Sequence, residues 1–268
     1  TTGKKENKFG IGFDNIGEVY ARIAAECPHL EIKGLQMHIG SQLTSVKPFV
    51  KAVKKVAPLV KEMKEKHHIE FFSIGGGIGI NYRQSLDSGD PDWWLQNTGM
   101  HPLTIQAYAD AVVPLLKKLG VRILCEPGRF MVGNAGVLLT KVLYEKKGGE
   151  KTFKIVDAGM NDLIRPTLYE GWHQIVPLKE PATNETEVVD VVGPICESGD
   201  FIAQNREIPL VSEGDYIAVM SAGAYGFTMA SNYNTRPMPA EILVTGDKAH
   251  IVRDRQTLED VIKGEHIV

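Results

Sequence analysis

Three short motifs suited to holding an anion each follow an apolar run in the first half of the chain. They are His38-Ile39-Gly40-Ser41-Gln42, Gly75-Gly76-Gly77 and Glu126-Pro127-Gly128-Arg129. Gly75, Gly76 and Gly77 carry no side chain that would keep an anion from their backbone N–H groups. Ser41 adds a hydroxyl and Arg129 a charge. Glu126 sits beside a Pro127-Gly128 turn, so its carboxylate is held in place rather than free on a surface. A lone glycine triplet marks a tight turn, and a lone histidine such as His38 is more often a satisfied core residue. Three such motifs in register on one edge are harder to attribute to chance. The C-terminal ends of parallel strands are where α/β folds place their sites.

A carboxylate fixed beside a phosphate site suits a protonated heterocyclic nitrogen, as in an enzyme using pyridoxal 5'-phosphate. His38 is then free to stack on the ring. The second half carries four further clusters: Asp157–Pro166, Gly193–Asp200, Gly223–Gly226 and Ser231–Asn234. Cys196 next to Glu197 in a glycine-flanked turn reads either as a placed thiol or as a small hydrophobe, the reading given to Cys27 and Cys125. Arg165 before a proline reads as a ligand cation or a surface charge, and Tyr225 as a site residue or a packing aromatic.

The elements that must position these groups follow from periodicity. Phe9–Phe13, Gly34–Ile39, Glu70–Ile74 and Val121–Cys125 read as short buried strands. Ile16–Cys27, Val46–Lys66 and Thr104–Leu119 read as helices between them, the last ended by Gly120. Alternation of short apolar strands with helices predicts a parallel sheet covered by helices. After about Gly133, Val137–Tyr144, Lys151–Val156, Glu187–Val192, Tyr216–Met220, Ala240–Thr245 and Ala249–Arg253 read as consecutive strands. They predict a mostly antiparallel β domain, closed by a short helix over Thr257–Ile262 with Thr257 as its N-cap. The expected fold class is therefore α/β plus β, with a cofactor-binding domain over residues 1–135 and a β domain over 136–268. The segment Ile80–Leu103 is too long for an ordinary βα connection and reads as an insertion or a lid.

Composition excludes several classes. The 268 residues are 43% hydrophobic and 24% charged, ordinary globular usage that argues against disorder. A net charge of -3 gives no field that favours nucleic acid or an anionic membrane. No apolar run approaches the roughly 20 residues of a membrane-spanning helix. The cysteines, Cys27, Cys125 and Cys196, are three and far apart. That disfavours a disulfide framework or a CxxC metal site and points to a reducing compartment, the cytoplasm.

Taken in order, HIGSQ, SIGGG, CEPGR, DAGMNDLIRPTLY, GPICESGD and GAYGFTMASNYNTRP give the chain a close resemblance to the diaminopimelate branch of the fold-type III pyridoxal phosphate decarboxylases. Alanine racemase and ornithine decarboxylase share that superfamily. The resemblance runs from about Lys8 to Ile262. It implies an alanine racemase-like (β/α)8 barrel followed by a β domain, and decarboxylation of meso-2,6-diaminopimelate to L-lysine and CO2. It further implies a cofactor site of His38, Ser41, Gly75, Gly76, Gly77, Glu126, Pro127, Gly128, Arg129 and Tyr225. In this scheme the glycines and Ser41 hold the phosphate, His38 stacks on the ring and Glu126 pairs with the pyridine nitrogen. The implied substrate contacts are Arg129, Arg165, Tyr169, Glu197 and Tyr225. Cys196 resembles the proton donor, and in the family this cysteine and glutamate reach a neighbouring subunit's site, which implies a homodimer.

Residue chemistry agrees with the specificity. The distal end of diaminopimelate carries a carboxylate and an ammonium. Arg129 and Arg165 suit the first and Glu197 the second. One departure is large. The family's Schiff-base lysine lies on the first barrel strand, and this chain has no matching motif. Its parallel part supplies four expected strands where a complete barrel has eight in roughly 250 residues. The chain is thus expected to be the C-terminal part of a longer enzyme, inactive without its N-terminal part. A related diamino-acid decarboxylase, or a non-catalytic homologue that binds a partner, are the competing expectations.

Overall fold

The structure, a computed structural model, describes residues 7–89, 103–181 and 183–268. The chain divides into two compact units, Thr1–Asn81 with Ser88–Met131, and Tyr82–Asp87 with Val132–Val268. No helix among the described residues is long and apolar enough to cross a membrane.

In the first unit, β1 (Gly34–Gln36), β2 (Phe71–Ser73) and β3 (Arg122–Leu124) form a parallel sheet in the order β1-β2-β3. The helices are α1 (Ile16–Glu26), α2 (Lys47–His67) and α3 (Ile105–Leu116). In α2 the buried residues Phe49, Val53, Val60 and Met63 recur at helical spacing. Lys64, Lys66 and His67 in its last turn face the negative end of the helix dipole. Thr104 caps α3 by accepting from the Ala107 amide at 3.1 Å. Gly120 follows in the left-handed region, with φ of 65°. These helices bury Phe49, Val53, Tyr108, Val112 and Leu116 against Leu35 and Phe72 in one core. Each such side chain contributes roughly 1.5–3 kcal/mol.

Register aligns Leu35, Phe72 and Ile123, which pack into that core. Strand alternation puts Gln36, Arg122 and Leu124 on the opposite face, and all three are exposed. Neither β1 nor β3 has a further strand on its outer side among the described residues. The expected first strand, Phe9–Phe13, is not one. Gly10 takes φ of 71°, the segment bends into a 3-10 turn at Phe13–Asn15, and Phe9 and Ile11 stay exposed. A strand needs a neighbour for its ladder, and this segment has none among the described residues. For the Ile80–Leu103 insertion, residues 90–102 lie outside the described residues.

The second unit is built on β4 (Leu138–Gly148), β5 (Lys151–Val156), β6 (Ile175–Pro177), β7 (Thr186–Val192), β8 (Phe201–Pro209) and β9 (Tyr216–Val219). Their order is β6-β9-β4-β5-β7-β8, and every pair is antiparallel except β5 with β7. Val142, Val156, Leu163, Val191, Ile202 and Val219 lie in its core. A hairpin of β10 (Glu241–Thr245) and β11 (Lys248–Arg253) follows. The closing helix spans Leu258–Val261, with Thr257 and Asp260 in a reciprocal capping box.

Strand β8 escaped the sequence reading. Its middle, Gln204-Asn205-Arg206-Glu207, is polar, and Asn205 is left-handed with φ of 46°. A bulge in β8 at Gln204-Asn205, opposite Asp190 of β7, explains the pairing. Buried Asp190 accepts from the Asn205 amide and from Lys151 Nζ, both at 2.6 Å, where the ladder register shifts.

Candidate functional site

The first unit gathers all of its expected site residues at the C-terminal ends of β1, β2 and β3. The glycine triplet is wedged between the two neighbouring turns. A Cβ on Gly75 would meet the Met37 carbonyl oxygen, one on Gly76 the Glu126 carbonyl, and one on Gly77 the Gly40 carbonyl. Gly75 and Gly77 also take φ of 72° and 93°, a region that disfavours any side chain. The triplet therefore has a packing duty whatever it binds. Its amides are differently employed. Gly75 N–H donates to Ser73 Oγ at 3.2 Å, whereas among the described residues the Gly76 and Gly77 amides have no acceptor.

Around the triplet, His38 lies against Gly75. The Arg129 guanidinium donates to Ser41 Oγ at 3.0 Å, tying the first motif to the third. Pro127 and Gly128 lead into a short helix, Gly128–Val132. Glu126 is exposed, but Oε1 of its carboxylate accepts from the Ser73 hydroxyl at 2.6 Å. Ser73, itself 3% exposed, thus orients both Gly75 and Glu126. Sequence reading missed it. Its only signal was its place at the end of a strand, two residues before the triplet.

The second unit assembles its own cluster. Arg165 and Tyr169 lie on α4 (Arg165–Tyr169), one turn apart, Arg165 buried and Tyr169 exposed. The Gly193–Asp200 loop folds back on itself through Gly193 N–H to Asp200 O at 3.1 Å. It presents Cys196 and Glu197 to solvent. The Thr167 hydroxyl donates to the Gly199 carbonyl, which joins α4 to this loop. Asp200, 4% exposed, clamps two motifs at once: one carboxylate oxygen accepts from Met160 N–H and the other from Ile195 N–H, each at 2.6 Å. Next to it, burial raises the Asp162 carboxyl above its usual range, against the pull of the Gly159 amide and Arg236. Tyr225 stands in the Gly223–Gly226 turn with φ of 60°, an uncommon backbone for an aromatic residue. Strain of this kind gathers at functional positions. His173, a buried partner of Arg165, was also missed, because it has no spacing signature, and Asp200 was read only as the end of the Gly193–Asp200 cluster, without a role of its own.

Strand-end motifs gathered on a parallel sheet, and a following β domain with its own polar cluster, define a class. The chain belongs to the pyridoxal-dependent decarboxylase family, whose model for the C-terminal sheet domain matches residues 59–223. Within that family it is similar to the diaminopimelate decarboxylases. It is 44% identical over 263 residues to that of Vibrio cholerae, covering 97% of this chain and 59% of the relative. Among solved structures, diaminopimelate decarboxylase from Helicobacter pylori complexed with L-lysine matches with a TM-score of 0.83 and 39% identity. That match covers 96% of this chain and 60% of that one. The enzyme from M. jannaschii matches with a TM-score of 0.86 and 35% identity, over 100% and 59%. The chain thus spans about 60% of the length of the relatives it matches.

Proposed function

We propose that this protein decarboxylates meso-2,6-diaminopimelate to L-lysine and CO2 with pyridoxal 5'-phosphate, in the cytoplasm. The observation that carries this reading is the cluster of motifs at the strand ends. Two glycine amides without acceptors among the described residues stand beside a carboxylate oriented by a buried serine. These residues fit the cofactor: Gly76 and Gly77, with Ser41, suit its phosphate, and Glu126 suits a protonated ring nitrogen. His38, which lies against Gly75, would stack on the ring. Pyridoxal phosphate, when bound, supplies the electron sink that accepts the pair left by a departing carboxylate.

The chain's own residues do the rest. Arg129 and Arg165 take the distal carboxylate of the substrate, Glu197 takes its distal ammonium, and Tyr169 and Tyr225 line the site. Cys196 holds the proton that replaces the lost carboxylate. Its exposure, with that of Glu197, supports a homodimer in which this loop completes the partner's site. The uncovered face and open edges of the β1-β2-β3 sheet support a barrel completed by further parallel strands of the same enzyme. Parallel sheets are normally covered on both faces. Those strands carry the lysine that anchors the cofactor. This division gives residues 1–135 cofactor binding, and residues 136–268 the substrate and interface motifs.

The test is CO2 release by the full-length protein with added pyridoxal phosphate, offered meso-diaminopimelate, L-lysine or L-ornithine. Release from diaminopimelate alone is expected. Equal release from substrates without a distal carboxylate would overturn the assignment.

A further inference from the structure

His173 is fully buried, in the connection between α4 and β6. Its Nδ1 lies 2.7 Å from the Met220 carbonyl oxygen and its Nε2 lies 2.6 Å from Arg165 Nη1. The two partners make opposite demands. A carbonyl oxygen only accepts, so Nδ1 must carry a proton. A guanidinium only donates, so Nε2 must present its lone pair. The neutral tautomer with hydrogen on Nδ1 alone meets both. Tyr82 completes the setting. Its ring stands edge-on to His173, with centroids 5.3 Å apart and planes at 82°. The Arg165 guanidinium carbon lies 4.4 Å from the same ring's centroid. The backbone is fastened as well: Gly171 N–H donates to Arg165 O at 3.1 Å, and Arg206 Nη1 donates to His173 O at 2.6 Å.

We infer that His173 is a positioning residue, which through this fixed tautomer holds Arg165 in the orientation that receives the substrate's distal carboxylate. The choice of acceptor has a chemical reason. An aspartate or glutamate in this place would take two N–H groups and cancel the cation's charge. An imidazole takes one N–H and, in its neutral form, brings no negative charge of its own to the guanidinium. The inference rests on the reading of Arg165 as a substrate contact.

The experiment uses the full-length protein. First, 15N-detected NMR of histidine-labelled protein reads the tautomer without turnover, and a protonated Nδ1 with a bare Nε2 is expected for His173. A protonated Nε2 overturns the inference. Second, steady-state kinetics with diaminopimelate compare His173→Leu, which removes the acceptor, with His173→Gln, whose amide oxygen can replace Nε2. Losing an acceptor for a buried cation raises KM roughly 10- to 100-fold in the leucine variant. Turnover number should stay within about threefold, since the interaction is made in ground and transition states alike. Glutamine recovers most of the loss. An unchanged KM in His173→Leu, or equal impairment in both variants, overturns the inference. Should the leucine variant fail to fold, His173→Asn, whose amide reaches only the Met220 side, replaces it, and equal KM values for Asn and Gln overturn the inference. Absence of diaminopimelate turnover by the wild type sinks the functional reading instead, and the NMR signature still decides whether His173 holds Arg165.

Discussion

Ser73→Ala removes one oxygen atom from a nearly inaccessible position and should be felt at two places. The hydroxyl donates to Glu126 at 2.6 Å and accepts from Gly75 N–H at 3.2 Å. Loss of the second bond leaves an amide facing a methyl group, costing about 0.5–1.5 kcal/mol. The first bond is charge-assisted, but Glu126 is exposed and water can replace the donor, so about 0.5–1 kcal/mol is appropriate. The total is about 1–2.5 kcal/mol. If that free energy serves to orient Glu126 and the triplet, pyridoxal phosphate affinity falls roughly 5- to 70-fold. The assay is a cofactor titration of the full-length protein followed by visible absorbance, run as a double-mutant cycle with Glu126→Gln. A coupling of at least about 0.5 kcal/mol is expected, since both changes act on one hydrogen bond. Strict additivity, or an unaltered affinity in Ser73→Ala, refutes the idea that Ser73 orients the carboxylate.

Cys196→Ala should leave cofactor affinity intact and slow turnover by about 10²–10⁴-fold, the usual worth of a placed proton donor; unaltered turnover removes the thiol from the chemistry. Gly77→Ala forces a side chain into φ of 93° and against the Gly40 carbonyl, so it should cost about 1–3 kcal/mol of stability by chemical denaturation, and a neutral result contradicts the interlock. Lys154→Met deletes a buried ammonium bonded at 2.7 Å to each of Glu145, Glu187 and the Val211 carbonyl. Since both carboxylates reach solvent, roughly 2–3 kcal/mol is expected, below the value for a wholly buried pair. Burial works to lower the Lys154 pKa, but Glu145 and Glu187 raise it further, so the net shift is upward. Its contribution is therefore fully present below the ordinary lysine pKa and is lost as pH climbs through the folded value. Wild type and variant should converge only in strong alkali, and convergence near neutral pH contradicts the assignment.

The α/β-then-β organisation was legible because its signals are local. Helical spacing in α2, Gly120 beyond the 3-10 turn that follows α3, and Thr257 as an N-cap need no tertiary knowledge. The candidate motifs could be picked out for the same reason, being short and contiguous. What escaped depends on distant partners. Ser73 matters through Glu126, His173 through Arg165 and Met220, and Asp200 through Met160 and Ile195; nothing in their own neighbourhoods says so. Phe9–Phe13 failed in the opposite way. Its apolar residues satisfy a strand pattern, but a parallel strand exists only by virtue of the strand beside it.

The glycine interlock also shapes how the strand-end region can vary. Gly75 and Gly77 abut the Met37 and Gly40 carbonyls of one neighbouring turn and Gly76 the Glu126 carbonyl of the other, so the backbone itself sets the limit. A substitution library selected for folding alone should therefore retain all three glycines and freely lose Glu126 and His38, whose side chains are exposed. Subtracting such a map from one selected for catalysis would cancel the triplet and leave the groups that act on the ligand. The least variable stretch of the strand-end cluster would then contribute nothing to the functional signal, while the exposed side chains around it would carry all of it.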